Sequence, residues 1–174
     1  VTAENRAALK AAEAKGVHVV ITTGRPLPAI THILEDLGLL DDKHYSVTFN
    51  GGLVQRNNGD ILIKKEMSRE DLKQIYAVFE PLGLPMDVIS DGIVYGVPSK
   101  GNHSLYRQAN PTLTSSMWRV LMTFLKISSI IRLVTVLVRK HFLDGQIQKL
   151  PKQLYQNFEV FKSREIILEV MQRG

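Results

Sequence analysis

The stretch Val17-His18-Val19-Val20-Ile21-Thr22-Thr23-Gly24-Arg25-Pro26 joins a short run of β-branched apolar residues to a turn-forming sequence. The run predicts a strand, Val17–Thr22, that is buried on both faces of a parallel sheet, where strict apolar–polar alternation is not expected. Thr23 can cap a helix, Gly24 lets the backbone approach closely, and Pro26 is favoured in a first helical turn. The stretch therefore predicts a strand that turns tightly into a helix.

Three hydrogen-bond donors meet at the end of this strand: the Thr23 hydroxyl, the Gly24 backbone N–H and the Arg25 guanidinium. Open α/β sheets bind ligands at the carboxyl ends of their strands. Donors of these three kinds suit a phosphate group. Thr and Gly are also common in strand-to-helix turns with no ligand, so on these residues alone both interpretations stay open.

The composition is that of a folded chain without cysteine chemistry. The 174 residues are 44% apolar, enough for one ordinary domain or two small ones. The absence of cysteine excludes disulfides and thiolate catalysis and favours a reducing compartment. The first residues lack the basic-then-apolar pattern of a signal peptide, and we therefore expect a cytoplasmic protein.

Positive charge is concentrated in one part of the chain. The net charge is +5, yet residues 92–143 contain seven Lys and Arg and no Asp or Glu. Within this span, Trp118–His141 is long enough to cross a membrane, but three basic residues interrupt it, each costing roughly 2.5–3.5 kcal/mol near mid-membrane. We expect neither a membrane nor a nucleic-acid partner. The alternative is a protein that binds nucleic acid or a membrane surface through residues 92–143.

The first part of the chain alternates helices and strands. The patterns predict helices over Thr2–Lys15 and Leu27–Leu37, each followed by a strand, Val17–Thr22 and Tyr45–Phe49. This alternation with short connections is typical of an α/β fold with a parallel sheet. Two such strands alone would leave apolar surface exposed.

The rest of the chain has a different pattern, with hairpins and helices in succession. Asn57-Asn58-Gly59-Asp60 predicts one hairpin turn and Asp91-Gly92 another. Ser68 and Asp71 predict a capped helix that runs to about Glu80. Asp144 is predicted to cap a later helix, which Pro151 kinks or divides in two, and a last strand pair follows. These elements indicate a separate α+β module that begins near Lys65–Met67.

Two motifs carry a family resemblance: Val-Ile-Thr-Thr-Gly-Arg-Pro at 20–26 and Thr-Phe-Asn-Gly-Gly-Leu-Val at 48–54. With this spacing, and with an α+β insert after them, the chain resembles the Cof-type branch of the haloacid dehalogenase-like phosphatases, which includes bacterial sugar-phosphate phosphatases. The resemblance covers residues 1 to about 111 and resumes from about 142 to 171.

The resemblance implies a fold and an activity. Residues 1–65 would form part of a Rossmann-like core, residues 66–171 an inserted α/β cap with an atypical part at about 113–141, and residues 172–174 the start of the return to the core. The implied activity is the Mg²⁺-dependent hydrolysis of phosphate monoesters, such as sugar phosphates, through an aspartyl-phosphate intermediate. The implied partner is a small phosphorylated substrate.

The resemblance also assigns roles to single residues. The Thr23 hydroxyl and the Gly24 N–H would hold a phosphoryl oxygen. Arg25 would either contact the phosphate or brace the loop. Asn50 and Gly51 match the turn at the core-to-cap junction, near the pocket; for Asn50, a purely conformational role in the turn is an equally open alternative.

Several family motifs have no counterpart in these residues. The Asp-x-Asp nucleophile motif is expected before Val1, and the motif lysine and the metal-site Gly-Asp motif are expected after Gly174. None of them is present, so the sequence assigns no catalytic residue and no metal ligand. We therefore expect a piece of a longer phosphatase that does not turn over alone, with a non-catalytic phosphate-binding module as the alternative. A shifted reading frame or a divergent gene fragment would explain the acid-free run at 113–141.

Overall fold

The computed structural model describes residues 1–90, 93–109, 118–120 and 133–173, and the chain forms two compact units, Val1–Lys65 and Glu66–Gly174. The helices are α1 (Ala3–Glu13), α2 (Thr31–Leu37), α3 (Arg69–Phe79), α4 (Tyr106–Ala109), α5 (Lys140–Ile147) and α6 (Lys152–Asn157). The strands are β1 (Val20–Thr22), β2 (Tyr45–Thr48), β3 (Leu53–Arg56), β4 (Ile61–Lys64), β5 (Met86–Ser90), β6 (Ile93–Val97), β7 (Trp118–Val120), β8 (Leu133–Leu137), β9 (Phe158–Arg164) and β10 (Ile167–Gln172).

The first unit is built on a four-stranded sheet in the order β1-β2-β3-β4. β1 and β2 are parallel, while β2, β3 and β4 pair antiparallel. The predicted hairpin around Asn57–Asp60 thus continues this sheet, which has four strands where two were expected. The centre of the unit's apolar core is formed by Ile30, Leu34, Leu37 and Leu39.

The predicted strand Val17–Thr22 is shorter and more exposed than the sequence suggested. Regular strand structure covers only Val20–Thr22, and Val17 and Val20 are 55% and 43% exposed. Among the described residues, β1 has one strand neighbour, β2, so its other edge is unpaired. The prediction that this strand is buried on both faces is therefore wrong for the chain described here.

The first helix of this unit begins at its predicted capping residue, whereas the second differs from the prediction. Thr2 is the N-cap of α1, where its Oγ1 accepts a hydrogen bond from the Asn5 N–H at 3.3 Å. The single helix predicted over 27–37 is divided instead. Leu27–Ala29 forms a 3₁₀ turn, and the backbone of Ile30, with φ −119° and ψ 1°, separates this turn from α2.

The second unit contains a six-stranded sheet in the order β7-β6-β5-β8-β10-β9. Ser68 and Asp71 form the predicted capping box at the start of α3. The buried core combines α3 and α5 with the central strands, and its members include Leu72, Ile75, Phe79, Met86, Val88, Val134, Leu143 and Leu168. The predicted turn Asp91-Gly92 lies outside the described residues.

One sequence interpretation in this unit needs correction, and the structure decides one alternative that the sequence left open. Asp144 lies inside α5, whose N-cap is Arg139, because the helix begins five residues earlier than predicted. Pro151 is the N-cap of α6, so the two-helix alternative is correct. Within Trp118–His141, the stretch long enough to cross a membrane, the structure has the strands β7 and β8 in place of a helix. All five residues of β8 are buried. Residues 121–132 lie outside the described part. No helix that the structure describes is long and apolar enough for a membrane crossing.

Candidate functional site

A pocket of about 400 Å³ lies in the first unit, at the carboxyl end of β1. The parallel register places Thr22 opposite Val47, so β1 and β2 end at the same edge of the sheet. The pocket is lined by Thr22, Thr23, Gly24, Val47, Asn50 and Gly51. It is open to solvent.

Two backbone hydrogen bonds fix the loops that form the pocket. The Thr23 N–H donates to the Val47 carbonyl at 2.9 Å, which extends the parallel pairing by one residue beyond β1. The Asn50 N–H donates to the Thr23 carbonyl at 3.2 Å. The loop after β1 is thereby held against the loop after β2.

The Thr23 hydroxyl is oriented by the residue that follows Gly24. The Arg25 backbone N–H donates to Thr23 Oγ1 at 3.1 Å. A hydroxyl has one hydrogen and two lone pairs, so a hydroxyl that accepts here keeps its hydrogen for another acceptor. Within the described part of the chain, the Gly24 N–H has no backbone acceptor. Both groups are donors that an anion in the pocket can use.

Gly24 and Asn50 are in close contact. A Cβ atom placed on Gly24 would lie 2.5 Å from Asn50 Oδ1 and 3.2 Å from its Cγ. Only glycine allows the Asn50 side chain to lie against the backbone at this point. This contact brings the two quoted motifs, 20–26 and 48–54, together in one site.

The turn after β2 is held in an uncommon conformation. Phe49, Asn50 and Gly51 have φ angles of 51°, 54° and 95°. A left-handed non-glycine residue costs on the order of 1–3 kcal/mol and persists where the surroundings fix it. The Phe49 side chain is only 4% exposed, and its burial anchors the turn. Strain of this kind is common at ligand sites, and it agrees with the turn role considered for Asn50.

The structure brings four of the five predicted residues, Thr23, Gly24, Asn50 and Gly51, to one pocket. Arg25 is exposed and does not line it, although its backbone N–H braces the Thr23 hydroxyl. The sequence interpretation missed Thr22 and Val47. Pairing the ends of the two predicted strands in parallel register would have found both.

The lining that the structure describes contains no carboxylate, so these residues do not fit a magnesium ion, which prefers carboxylate oxygens. Among the described residues, no three His, Asp or Glu side chains come together as a metal site. Asp41 is occupied elsewhere, since its Oδ1 accepts from the backbone N–H groups of Lys43 and His44, each at 2.9 Å. The described pocket residues therefore supply donors for an anion and no carboxylate for a metal ion.

A charged cluster lies near the start of β2. His44 contacts Glu13 through Nε2 at 2.6 Å and Asp41 through Nδ1 at 2.8 Å. Burial by itself lowers the pKa of His44, but the hydrogen bonds and charges of Asp41 and Glu13 outweigh it and raise the pKa overall. The cluster ties the end of α1 to the loop before β2 and supports the fold of this unit.

A family model for haloacid dehalogenase-like hydrolases matches the whole chain, residues 1–174. The chain belongs to the haloacid dehalogenase-like hydrolases. The family prediction and the α/β fold class are thereby confirmed, and the fold is shared with solved members of the same group.

Three relatives illustrate the similarity. A candidate phosphatase from Streptococcus pyogenes serotype M6 is 30% identical over 94% of this chain and 61% of its own length. A haloacid dehalogenase-like hydrolase from Bacteroides thetaiotaomicron has a TM-score of 0.78 at 19% identity, covering all of this chain and 65% of that one. A subclass IIB sugar phosphatase has a TM-score of 0.64 at 16% identity, with 100% and 64% covered. The chain thus spans 61–65% of the length of these relatives.

Proposed function

We propose that the pocket at the end of β1 holds the phosphoryl group of a small phosphate monoester, as part of a haloacid dehalogenase-like phosphatase. One observation carries the proposal: the Thr23 hydroxyl, oriented by the Arg25 N–H at 3.1 Å, lies beside the Gly24 N–H in one pocket. Donors fixed in advance at a developing negative charge are usually a large part of catalysis in such reactions. The family membership supports the same function.

The two parts of the chain are assigned different roles in the proposed enzyme. We assign residues 1–65 to the phosphate-holding core and residues 66–171 to the cap that selects the substrate. The pocket residues bind and orient the phosphoryl group, and none of the lining side chains in the described part of the chain is a nucleophilic carboxylate. Hydrolysis by the aspartyl-phosphate route needs its nucleophile and its Mg²⁺ ligands from other residues. For these 174 residues we therefore expect binding without turnover.

Sugar phosphates are the substrate class we propose, on the sequence resemblance to the sugar-phosphate phosphatases. A similar structure is described as a sugar phosphatase, which supports this class. In the full-length enzyme, Thr23→Val should lower kcat/KM about 10²-fold for the sugar phosphate that is hydrolysed most efficiently. This is the effect typical of losing one oriented hydrogen-bond donor. An unchanged kcat/KM would contradict the assigned role of Thr23.

Phosphate binding tests the proposal on the chain itself. Calorimetric titration with inorganic phosphate should give a Kd that Thr23→Val raises about tenfold, because a charge-assisted hydrogen bond is lost. Thr31→Val is the matched control, since the Thr31 hydroxyl donates to the Leu27 carbonyl at 3.2 Å and lies outside the pocket lining. Equal effects of the two substitutions would refute phosphate binding at this pocket.

A further inference from the structure

A second pocket, of about 330 Å³, lies within the second unit. It is formed where the end of β8 and the first turn of α5 meet the loop after β6. It is lined by Asn102, His103, Leu105, Val138, Arg139, His141 and Phe142. All of these residues come from the acid-free span 92–143, so the lining that the structure describes contains no carboxylate.

Three lining side chains carry nitrogen donors: the cationic guanidinium of Arg139 and the imidazoles of His141 and His103. All three are exposed, and among the described residues none has a hydrogen bond or ion pair through its side chain. The pocket therefore presents donors and positive charge that no described part of the protein neutralises.

The carboxylates around α5 are already paired with other cations. Lys140, next to Arg139, contacts Glu165 at 2.7 Å. Asp144, one turn along α5, pairs with Lys162. These pairs leave the cations of the pocket without a counter-ion.

The other wall of the pocket is apolar and fixed. Val138 is only 6% exposed, while Leu105 and Phe142 are half-buried. Arg139 is held as the N-cap of α5, where its carbonyl accepts from the Leu143 N–H at 3.0 Å. Its side chain makes no capping bond and remains available to a ligand. The site thus combines an apolar wall with a cationic rim on a rigid element.

We propose that this pocket binds a small organic oxyanion, a phosphonate, phosphate or carboxylate head on a compact apolar body. The Arg139 guanidinium is the main contact, since its planar fork matches an oxyanion with two parallel hydrogen bonds. His103 and His141 flank it, and Val138 and Phe142 contact the carbon skeleton. The site uses no residue of the Thr23–Gly24 pocket and stands independently of the proposed function.

The test uses imidazole resonances of the complete 174-residue chain carrying Thr23→Val, so that the first pocket is weakened as an alternative site. Phenylphosphonate is the probe, because a phosphatase cannot hydrolyse its C–P bond. Benzoate tests a carboxylate head on the same ring. Benzyl alcohol, which is uncharged, tests the apolar body alone. His103 and His141 should shift with phenylphosphonate or benzoate. The three histidines of the first unit, His18, His32 and His44, serve as internal references.

A matched pair of charge variants localises the binding. Arg139→Gln should raise the Kd about tenfold, whereas Lys149→Gln removes one positive charge from an exposed side chain outside the lining, which has no ion pair among the described residues, and should change the Kd less than about twofold. Circular dichroism confirms that both variants are folded. If both substitutions weaken probe binding equally, the probe is attracted to the positive charge of this region and not to Arg139 in particular. That result, equal binding of benzyl alcohol, or no shift at His103 and His141 up to about 10 mM probe, would overturn the proposal.

Discussion

The Oδ1 atom of Asn50 lies 2.5 Å from the position that a Cβ atom on Gly24 would occupy. Carbon atoms make favourable contacts at about 3.5–4.0 Å, so the two loops can meet in this way only through a glycine. The two loops that form the pocket are thus far apart in sequence, and they meet in this close contact as well as through two backbone hydrogen bonds. The predictions below start from this contact.

Gly24→Ala should affect binding more than stability. The added methyl must displace the Asn50 side chain, which disturbs the pocket, but no backbone atom lies among the three nearest atoms. We expect about a tenfold higher Kd for inorganic phosphate and a loss of about 1 kcal/mol or less in the free energy of unfolding. Calorimetry and urea denaturation measure the two quantities.

Gly145→Ala is the control for this substitution. Nothing lies within 4 Å of a Cβ atom on Gly145, which is inside α5. This variant should bind phosphate as the unsubstituted chain does and gain about 0.5–1 kcal/mol of stability from helix propensity. If Gly24→Ala also leaves the Kd unchanged, the Gly24–Asn50 contact has no part in binding.

Asn50→Ala should destabilise the first unit more than Asn50→Gly does. Both variants lose the carboxamide, but only alanine must hold a side chain at φ 54°. We expect a difference of about 1 kcal/mol between their free energies of unfolding, measured by urea denaturation. Equal stabilities would mean that the left-handed turn after β2 is not maintained in solution.

Asp87→Asn should stabilise the protein increasingly as the pH rises. Asp87 is fully buried; burial raises its pKa from 3.8 to about 7, against a smaller lowering by the hydrogen bond from Ser104. Because the folded state binds the proton more tightly, the chain loses stability as the pH rises from about 4 to about 7. Asparagine removes this loss, worth up to about 4 kcal/mol above pH 7.

Thermal denaturation between pH 5 and pH 8 checks this expectation. The difference in midpoint between Asp87→Asn and the unsubstituted chain should grow with pH across this range. A constant difference would mean that Asp87 does not change its ionisation on unfolding.

His44 should stabilise the first unit most at acid pH. Its pKa is raised because the bonds to Asp41 and Glu13 outweigh the effect of burial. A raised pKa gives stability that is complete below the unfolded pKa and disappears as the pH rises through the folded one. Relative to His44→Gln, we expect an advantage of about 1 kcal/mol at about pH 5.5 that shrinks by about pH 8.5. An advantage that grows with pH would refute the cluster.

Local signals in the sequence predicted most of the elements correctly. The Ser68–Asp71 capping box, the Thr2 cap and the turn at Asn57–Asp60 each depend on a few neighbouring residues, and the structure has all three. The Asp144 cap failed because an acidic residue inside a helix looks the same in sequence as one that begins it. β8 was missed because its surroundings in the sheet, and not its flanking residues, make Leu133–Leu137 a central strand.

The candidate site was predicted less completely than the elements. Thr23 and Asn50 were found through motifs, but their meeting depends on the parallel register of β1 and β2, which is a tertiary property. The role of the Arg25 backbone could not be read from its side chain, because the hydrogen bond to Thr23 Oγ1 uses the main-chain N–H. The pocket around Arg139 combines residues more than thirty positions apart and has no local signal.

The most direct test of phosphate binding at the end of β1 is the amide resonance of Gly24 during titration of the 174-residue chain with inorganic phosphate. We expect a saturable downfield shift of this amide proton, the change that follows when an N–H donates to an anion. In Thr23→Val the shift should require about tenfold more phosphate, and in Thr31→Val it should be unchanged. A Gly24 amide that stays in place while phosphate binds elsewhere would contradict the proposed function.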